Sequence, residues 1–311
     1  SHQIPLLLTA HADHPGFWAE GMVDRNTLSA HWIGRVPRGY FLGAAVRFVT
    51  PADEAGSPGS GSFPLGGKAV RGRITRVSEY RGEGDYARVE IETDAEVAPG
   101  SIGQWDLPTC EFIDGQIHAT AIDDVAGVAA LVCVMQELAL RGASRPVRLL
   151  VTRAEEAGFV GCVGYCRDQA NAGRAGQAQI IGIEMSKAMP EAPVGSGPIV
   201  RVGDRRSVFD AAPTAAVARA AERLAQSDPD FTYQRRLMPG GTCESSVFQS
   251  TLGRSGAVCL PLGNYHNVNE SRVCLDREYI DTHDFVQLVR LLLASAESPA
   301  SGYDEGPLSA E

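Results

Sequence analysis

Hydrophobic positions divide the chain into two textures. At 4–9 the run IPLLLT is continuously apolar, which predicts a strand buried on both faces. It passes into Ala10-His11-Ala12-Asp13-His14-Pro15-Gly16, so His11 and Asp13 lie at or just past the strand's C-terminal end. From about Trp18 to Leu107 the apolar runs are short and several alternate: HWIGRV, YFLGAAVRFV, KAVRGRITRVSEY and DYARVEIET. Gly, Pro and Ser punctuate them, most densely over 52–67, and no helical period is sustained. This texture predicts a small all-β module, a sandwich or barrel.

After Asp114-Gly115 the pattern becomes α/β. Val125, Val128, Ala129, Leu131, Val132, Met135 and Leu138 recur at helical spacing, predicting a helix from about Asp124 to a C-cap near Gly142. Asp123 and Asp124 open it; on their own they read as an N-cap and a charged first turn. Buried strands are predicted at Val147–Thr152, Gln179–Ile183, Ile199–Val202 and Gly256–Leu260, with an edge strand at Phe231–Leu237. Helices are predicted at about Ala211–Leu224, after Glu244, and at about Asp281–Ala296, followed by a loose tail from Ser298 to Glu311. Strands alternating with helices indicate an α/β fold, a mostly parallel sheet flanked by helices, into which the small all-β domain is inserted.

Composition narrows the function. The chain has 311 residues, 44% of them hydrophobic and 21% charged, enough for a sizeable core and two domains. Its net charge is −10, and no basic run suggests a phosphate-binding stripe, which argues against nucleic acid as a partner. No apolar run reaches membrane-span length. The opening SHQIPLLLTAHADH lacks the basic region and cleavage site of a signal peptide, and its start inside a strand pattern suggests missing upstream sequence. Seven cysteines, an odd number in apolar contexts such as LVCVM, read as buried free thiols in a reducing compartment, hence a cytoplasmic protein. Cys162 and Cys166 have no second pair to complete a zinc knuckle and read as structural.

In open α/β sheets, ligands bind at the C-terminal ends of strands. Four predicted strands end in metal-capable residues: His11, Glu155-Glu156, Glu184 and His266. Asp123 and Asp124 open a helix that can pack on the same edge. Acids gathered there would repel unless cations neutralised them. Imidazole and carboxylate ligands suit two divalent ions, Zn foremost, with Co or Mn as alternatives. The natural partition gives each ion one His and one carboxylate, with a further carboxylate bridging both. Asp13, two residues past His11, can accept the imidazole N–H and orient the ring. One acid of the Glu155-Glu156 doublet can ligate while the other serves as general base for water.

The motifs HADHPGF, AIDDVAG, EEAGFVG, IEMS and YHN, in this order, resemble the co-catalytic metallo-aminopeptidases, closest to the glutamyl-aminopeptidase and tetrahedral (TET) aminopeptidase family. The resemblance spans nearly the whole chain, including the position of the β-rich insertion. It implies His11, Asp123, Glu156, Glu184 and His266 as metal ligands, with Asp123 bridging, Glu155 as general base and Asp13 as orienting acid. It implies a catalytic domain of 1–18 and 109–311, and an inserted domain of 19–108 serving assembly and active-site access. Peptides are the implied substrates, and a homo-oligomer between dimer and dodecamer the implied assembly. Gly240-Gly241-Thr242 resembles a loop that shapes the substrate pocket. Four residues depart from the family pattern: His14, where an acid is common; Val125, where a base is common; Cys243, where Asp often follows GGT; and Asn267, where a small hydroxyl residue is usual. Arg205, Arg206, Arg235 and Arg236 are candidates for an acidic-substrate pocket, though each also reads as an exposed surface arginine. Two other functions are weighed: a dinuclear deacylase or carboxypeptidase, and a non-catalytic scaffold with a vestigial site.

Overall fold

A computed structural model of the chain describes residues 4–49, 69–82 and 86–297. The Gly/Pro/Ser-rich stretch of 52–67 and the tail from Ser298 lie outside the described residues. The chain forms two compact units, one from residues up to 13 with 110–265 and 278 onward, the other from 14–109 with 266–277.

The larger unit is an α/β layer structure. Its sheet contains β1 (Leu6–His11), β10 (Val147–Thr152), β11 (Gln179–Lys187), β12 (Ile199–Gly203), β13 (Gln234–Leu237) and β14 (Ser255–Leu262), in the order β10-β1-β11-β14-β12-β13. All neighbours are parallel except β12 and β14, so the sheet is mostly parallel, as the pattern predicts. Every residue of β1 and β14 is buried, which is why both read as unbroken apolar runs. Helices α1 (Ile122–Arg141), α3 (Ala211–Ser227) and α5 (Thr282–Glu297) share one core with the sheet, built on Leu8, Leu131, Val134, Ile183, Val258 and Leu291. Each such side chain contributes roughly 1.5–3 kcal/mol by leaving water. α2 (Val160–Asn171) and α4 (Glu244–Thr251) form a second core with Leu7 and Ile180. Among the described residues, no helix is long and apolar enough to cross a membrane.

Three features of this unit depart from the pattern. β11 continues past Ile183 to Lys187, so Glu184 lies inside the strand, paired with Cys259. α2 forms although Gly161 and Gly164 each disfavour helix by about 1 kcal/mol. Its Cys162 and Cys166, one turn apart, pack with Phe248 and Leu252, and this tertiary burial overrides propensity. A three-stranded antiparallel sheet of β8 (Glu111–Ile113), β9 (Gln116–Ala119) and β17 (Glu278–Asp281) also forms. Its strands are too short to leave a period in the sequence.

The smaller unit is a closed antiparallel barrel of β2 (Gly16–Met22), β3 (Thr27–Ile33), β4 (Ala45–Val49), β5 (Ala69–Arg81), β6 (Tyr86–Thr93) and β7 (Ile102–Trp105). Inward positions alternate with outward ones, as in the buried Leu28, Ala30 and Trp32 of β3. The interior is a stack of rings: Trp32 and Trp105 lie 4.6 Å apart, with Phe17 4.7 Å from Trp32 and 4.9 Å from Trp105. β2 already pairs with β3 from Gly16, so the strand containing Phe17 and Trp18 belongs to the barrel from its first residue. Residues 266–277 return to this unit as a hairpin of β15 (Val268–Asn269) and β16 (Cys274–Leu275), whose Val268 and Leu275 pack on the barrel core.

Candidate metal centre

Within the larger unit, parallel pairing sets His11 level with Thr152, the last residues of β1 and β10. Glu155 and Glu156 follow three and four residues later, and Glu184 comes from β11. The ligand atoms of His11, Glu155 and Glu184 all lie within 4.8 Å of one another, and all three residues are buried. His11 Nε2 also lies 3.5 Å from Asp123 Oδ1 and 3.9 Å from Glu184 Oε2. The other ring nitrogen, Nδ1, is 3.0 Å from the Asp13 carbonyl oxygen. A carbonyl can only accept, so Nδ1 carries the proton and Nε2 is presented to the acids.

Asp13 has a second task that the sequence pattern does not reveal. Its carboxylate stands 3.6 Å from His11 Nδ1, while its two oxygens accept the backbone N–H groups of Glu155 and Glu156, each at 3.1 Å. It therefore fixes the acidic doublet more directly than the imidazole. The same device recurs at two other positions. Asp124 Oδ2 accepts the N–H of His11 at 3.2 Å, and Glu278 Oε2 accepts the N–H of Asp123 at 3.0 Å. Each acid thus holds the main chain of a residue whose side chain faces the centre.

The start of α1 corrects a local expectation. Its N-cap residue is Ala121, no side chain caps it, and Asp123 and Asp124 have non-helical backbone angles joined by a cis peptide. The acids are turned out of the capping role and both are buried. Gly127 makes room: a Cβ there would lie 2.2 Å from Asp124 Oδ1. In the EEAGFVG motif, Gly161 has a similar reason, since a Cβ would meet the Arg153 carbonyl oxygen at 2.4 Å.

The electrostatics follow from burial. Desolvation and then the charge of Asp123 push Glu184 up to about 8. Desolvation and the neighbouring acids raise Glu155, through Glu184 and Glu156, and Glu156, through Asp123. Asp124 is raised in the same way. Desolvation alone would lower the His11 pKa, but hydrogen bonding to Asp123 and Asp13 with the charges of Glu184 and Asp124 outweighs it, and the pKa rises. The group has the chemistry of a cation site: hard oxygen donors and one oriented imidazole, crowded so that full ionisation needs positive charge among them. Beneath it Glu244, missed from sequence, is pushed up to about 7 by burial while its Oε2 accepts from Thr152 Oγ1 at 2.8 Å.

The remaining candidates are placed as follows. His266 stands four residues past the end of β14, at the first residue that the chain returns to the smaller unit, and its Nδ1 is 3.0 Å from the Arg35 carbonyl oxygen of that unit. His14 and Asn267, two of the departures from the family pattern, are bonded to each other, Nε2 to Oδ1 at 3.0 Å. The loop of Gly240-Gly241-Thr242 is tied to the turn at Asp204, where Gly241 O accepts from Arg205 N and Asp204 Oδ2 accepts from Cys243 N. Arg205, Arg206, Arg235 and Arg236 are exposed, while Arg201, absent from the sequence candidates, is 3% exposed and lies 5.9 Å from the Phe209 ring centroid.

The fold is shared with solved structures. The TET1 peptidase of Pyrococcus horikoshii aligns at TM-score 0.71 and 20% identity, over 95% of this chain and 84% of that one. An aminopeptidase of Desulfurococcus kamchatkensis aligns at 0.73 and 18% identity, over 97% and 82%. A TET aminopeptidase of a Thaumarchaeota archaeon aligns at 0.73 and 17%, over 96% and 82%. No curated protein matches in sequence. The family model of M42 glutamyl aminopeptidase matches residues 1–281, and the chain belongs to this family of metal-dependent aminopeptidases.

Proposed function

We propose that the enzyme is dinuclear, with Asp123 bridging two divalent ions, His11 and Glu184 completing one ligand set, Glu156 and His266 the other, and Glu155 as general base. The observation that carries this is the buried convergence of His11, Glu155 and Glu184 within 4.8 Å, with Asp123 at 3.5 Å from His11. His266 is assigned to the second set by the resemblance of YHN to the family's motif. Zn is the first choice of metal, and Co or Mn fit the same donors. When bound, such ions acidify water and polarise a carbonyl. Glu155 then takes the proton of the attacking water and hands it to the leaving amine nitrogen. Asp13 keeps the Glu155 backbone in place for both transfers.

The charge balance selects the substrate end. Asp13, Asp123, Asp124, Glu155, Glu156 and Glu184 are six acids against the four positive charges of two divalent ions and that of the buried Arg201, whose charge bears on Glu184. With the acids ionised the balance is negative, which favours a terminal ammonium over a blocked amine or a C-terminal carboxylate. Hydrolysis of aminoacyl fluorogenic amides, free and N-acetylated, tests this after reconstitution with Zn or Co. Free-amine turnover abolished by chelator supports the reading; turnover of blocked substrates alone replaces it with a deacylase.

The larger unit is assigned the chemistry and the barrel unit assembly and access. The P. horikoshii TET1 peptidase assembles into a tetrahedron or an octahedral shell, and a homo-oligomer is proposed here by analogy. Light scattering at the 33.1 kDa of one chain would reject it. Seven free cysteines, four of them buried, support a cytoplasmic location; alkylation of the thiols in freshly extracted protein would test it, and disulfides found there would overturn it.

A further inference from the structure

We infer that Glu278 is a positioning residue for the reaction, holding the backbone of the bridging acid Asp123. The inference rests on the dinuclear reading for what Asp123 does, and on geometry for the rest. A helix start leaves N–H groups without intrahelical partners, and a local Ser, Thr or Asp usually supplies the acceptor. The entry to α1 has no capping side chain, and residues 123 and 124 depart from helical angles. Asp123 is 2% exposed, so bulk water does not serve its N–H. The acceptor arrives from 155 residues away: Glu278, fully buried at the start of β17, opposite Ala119 of β9. The β9–β17 ladder therefore delivers a carboxylate to the corner where the chain turns into Asp123.

A glutamine could make the same hydrogen bond without adding a buried charge. Ionised, the carboxylate would make the bond charge-assisted and place negative charge one peptide unit behind Asp123. Such a charge would tighten the grip on the Asp123 main chain and favour a cation on the far side of the aspartate. Glu278 thus acts through Asp123 rather than on the substrate.

Asp284 provides a matched comparison. It too is fully buried, and its carboxylate accepts the N–H groups of Gly195 and Gly197, each at 2.7 Å, outside the centre. The experiment titrates Zn²⁺ calorimetrically into wild type, Glu278→Gln, Glu278→Ala, Asp123→Asn and Asp284→Ala, with Tm, kcat and KM measured on each. Glu278→Ala is expected to weaken Zn²⁺ binding about 10–100-fold, the range for residues that orient ligands. At saturating Zn²⁺ its kcat should fall by a similar factor while KM stays within about twofold. Glu278→Gln should recover most of kcat and keep the metal-free Tm. Asp284→Ala should lose Tm with Zn²⁺ affinity unchanged. If the alanine variants at 278 and 284 behave alike, or if Gln is no better than Ala at 278, the inference is overturned. Wild-type Zn²⁺ affinity in Asp123→Asn would instead remove the bridging role, and the function of Glu278 with it. Should Glu278→Ala not fold, Glu278→Met, which fills the space without an acceptor for the Asp123 N–H, takes its place: Zn²⁺ binding and kcat equal to those of Glu278→Gln overturn the inference.

Discussion

The barrel unit encloses Phe17, Trp32, Phe41, Phe48 and Trp105 in one ring stack, whereas the larger unit buries Asp123, Asp124, Glu155, Glu184, Glu278 and Asp284. Both interiors exclude water, but they use it for opposite ends. In the barrel, exclusion is itself the source of stability, because apolar area is removed from solvent. In the α/β unit, exclusion makes each carboxylate costly unless something answers its charge. Some are answered by backbone N–H groups, as Asp284 is by Gly195 and Gly197. Others are set against one another, as Glu184 is against Asp123, with His11 and Arg201 answering only part of the charge. The first kind of core needs only the sequence that forms it. The second is a binding site because it is incomplete.

The sharpest test of this contrast replaces Glu155 by Gln. Shape and burial are kept and the proton acceptor is removed. Turnover should fall about 10²–10⁴-fold, the usual contribution of a general base, while metal analysis still finds the ions. Retained turnover would move the base elsewhere. Next in size is Trp105→Ala, which removes a ring that contacts three others. Calorimetry should show a loss of about 3–5 kcal/mol, and a loss under about 1 kcal/mol would break the account of the ring stack as the source of the barrel's stability.

The smallest effect should have the opposite sign. In metal-free protein Glu184→Gln should be stabilising, by about 1–3 kcal/mol near pH 7. The wild-type carboxyl is raised to about 8 in the folded chain. Above the ordinary glutamate pKa the unfolded chain ionises while the folded one keeps its proton, so wild-type stability falls as pH rises from about 4.5 to 8. The advantage of Gln should therefore shrink toward pH 5. Denaturant melts of the metal-free proteins at pH 5 and pH 7.5 measure it, and an advantage independent of pH would sink the account.

The sequence by itself determined the two textures and most of the element order. Apolar runs such as IPLLLT and the helical stripe from Val125 to Leu138 report burial through local periods, which survive without tertiary information. It also marked His11, Asp123, Glu155, Glu156, Glu184 and His266, because acids and histidines next to buried strands stand out against their neighbours. Only the tertiary structure decided how they are held. Asp13 was legible as a partner of His11, but not as the acceptor for Glu155 and Glu156. Glu278 sits in DREYID, an ordinary charged stretch, and nothing near it in sequence points to Asp123. α2 formed against its glycines because Cys162 and Cys166 found a core. The physical reason is common to all three. Periodicity is a property of consecutive residues, whereas a buried donor takes whichever acceptor the fold brings to it, however far along the chain that acceptor lies.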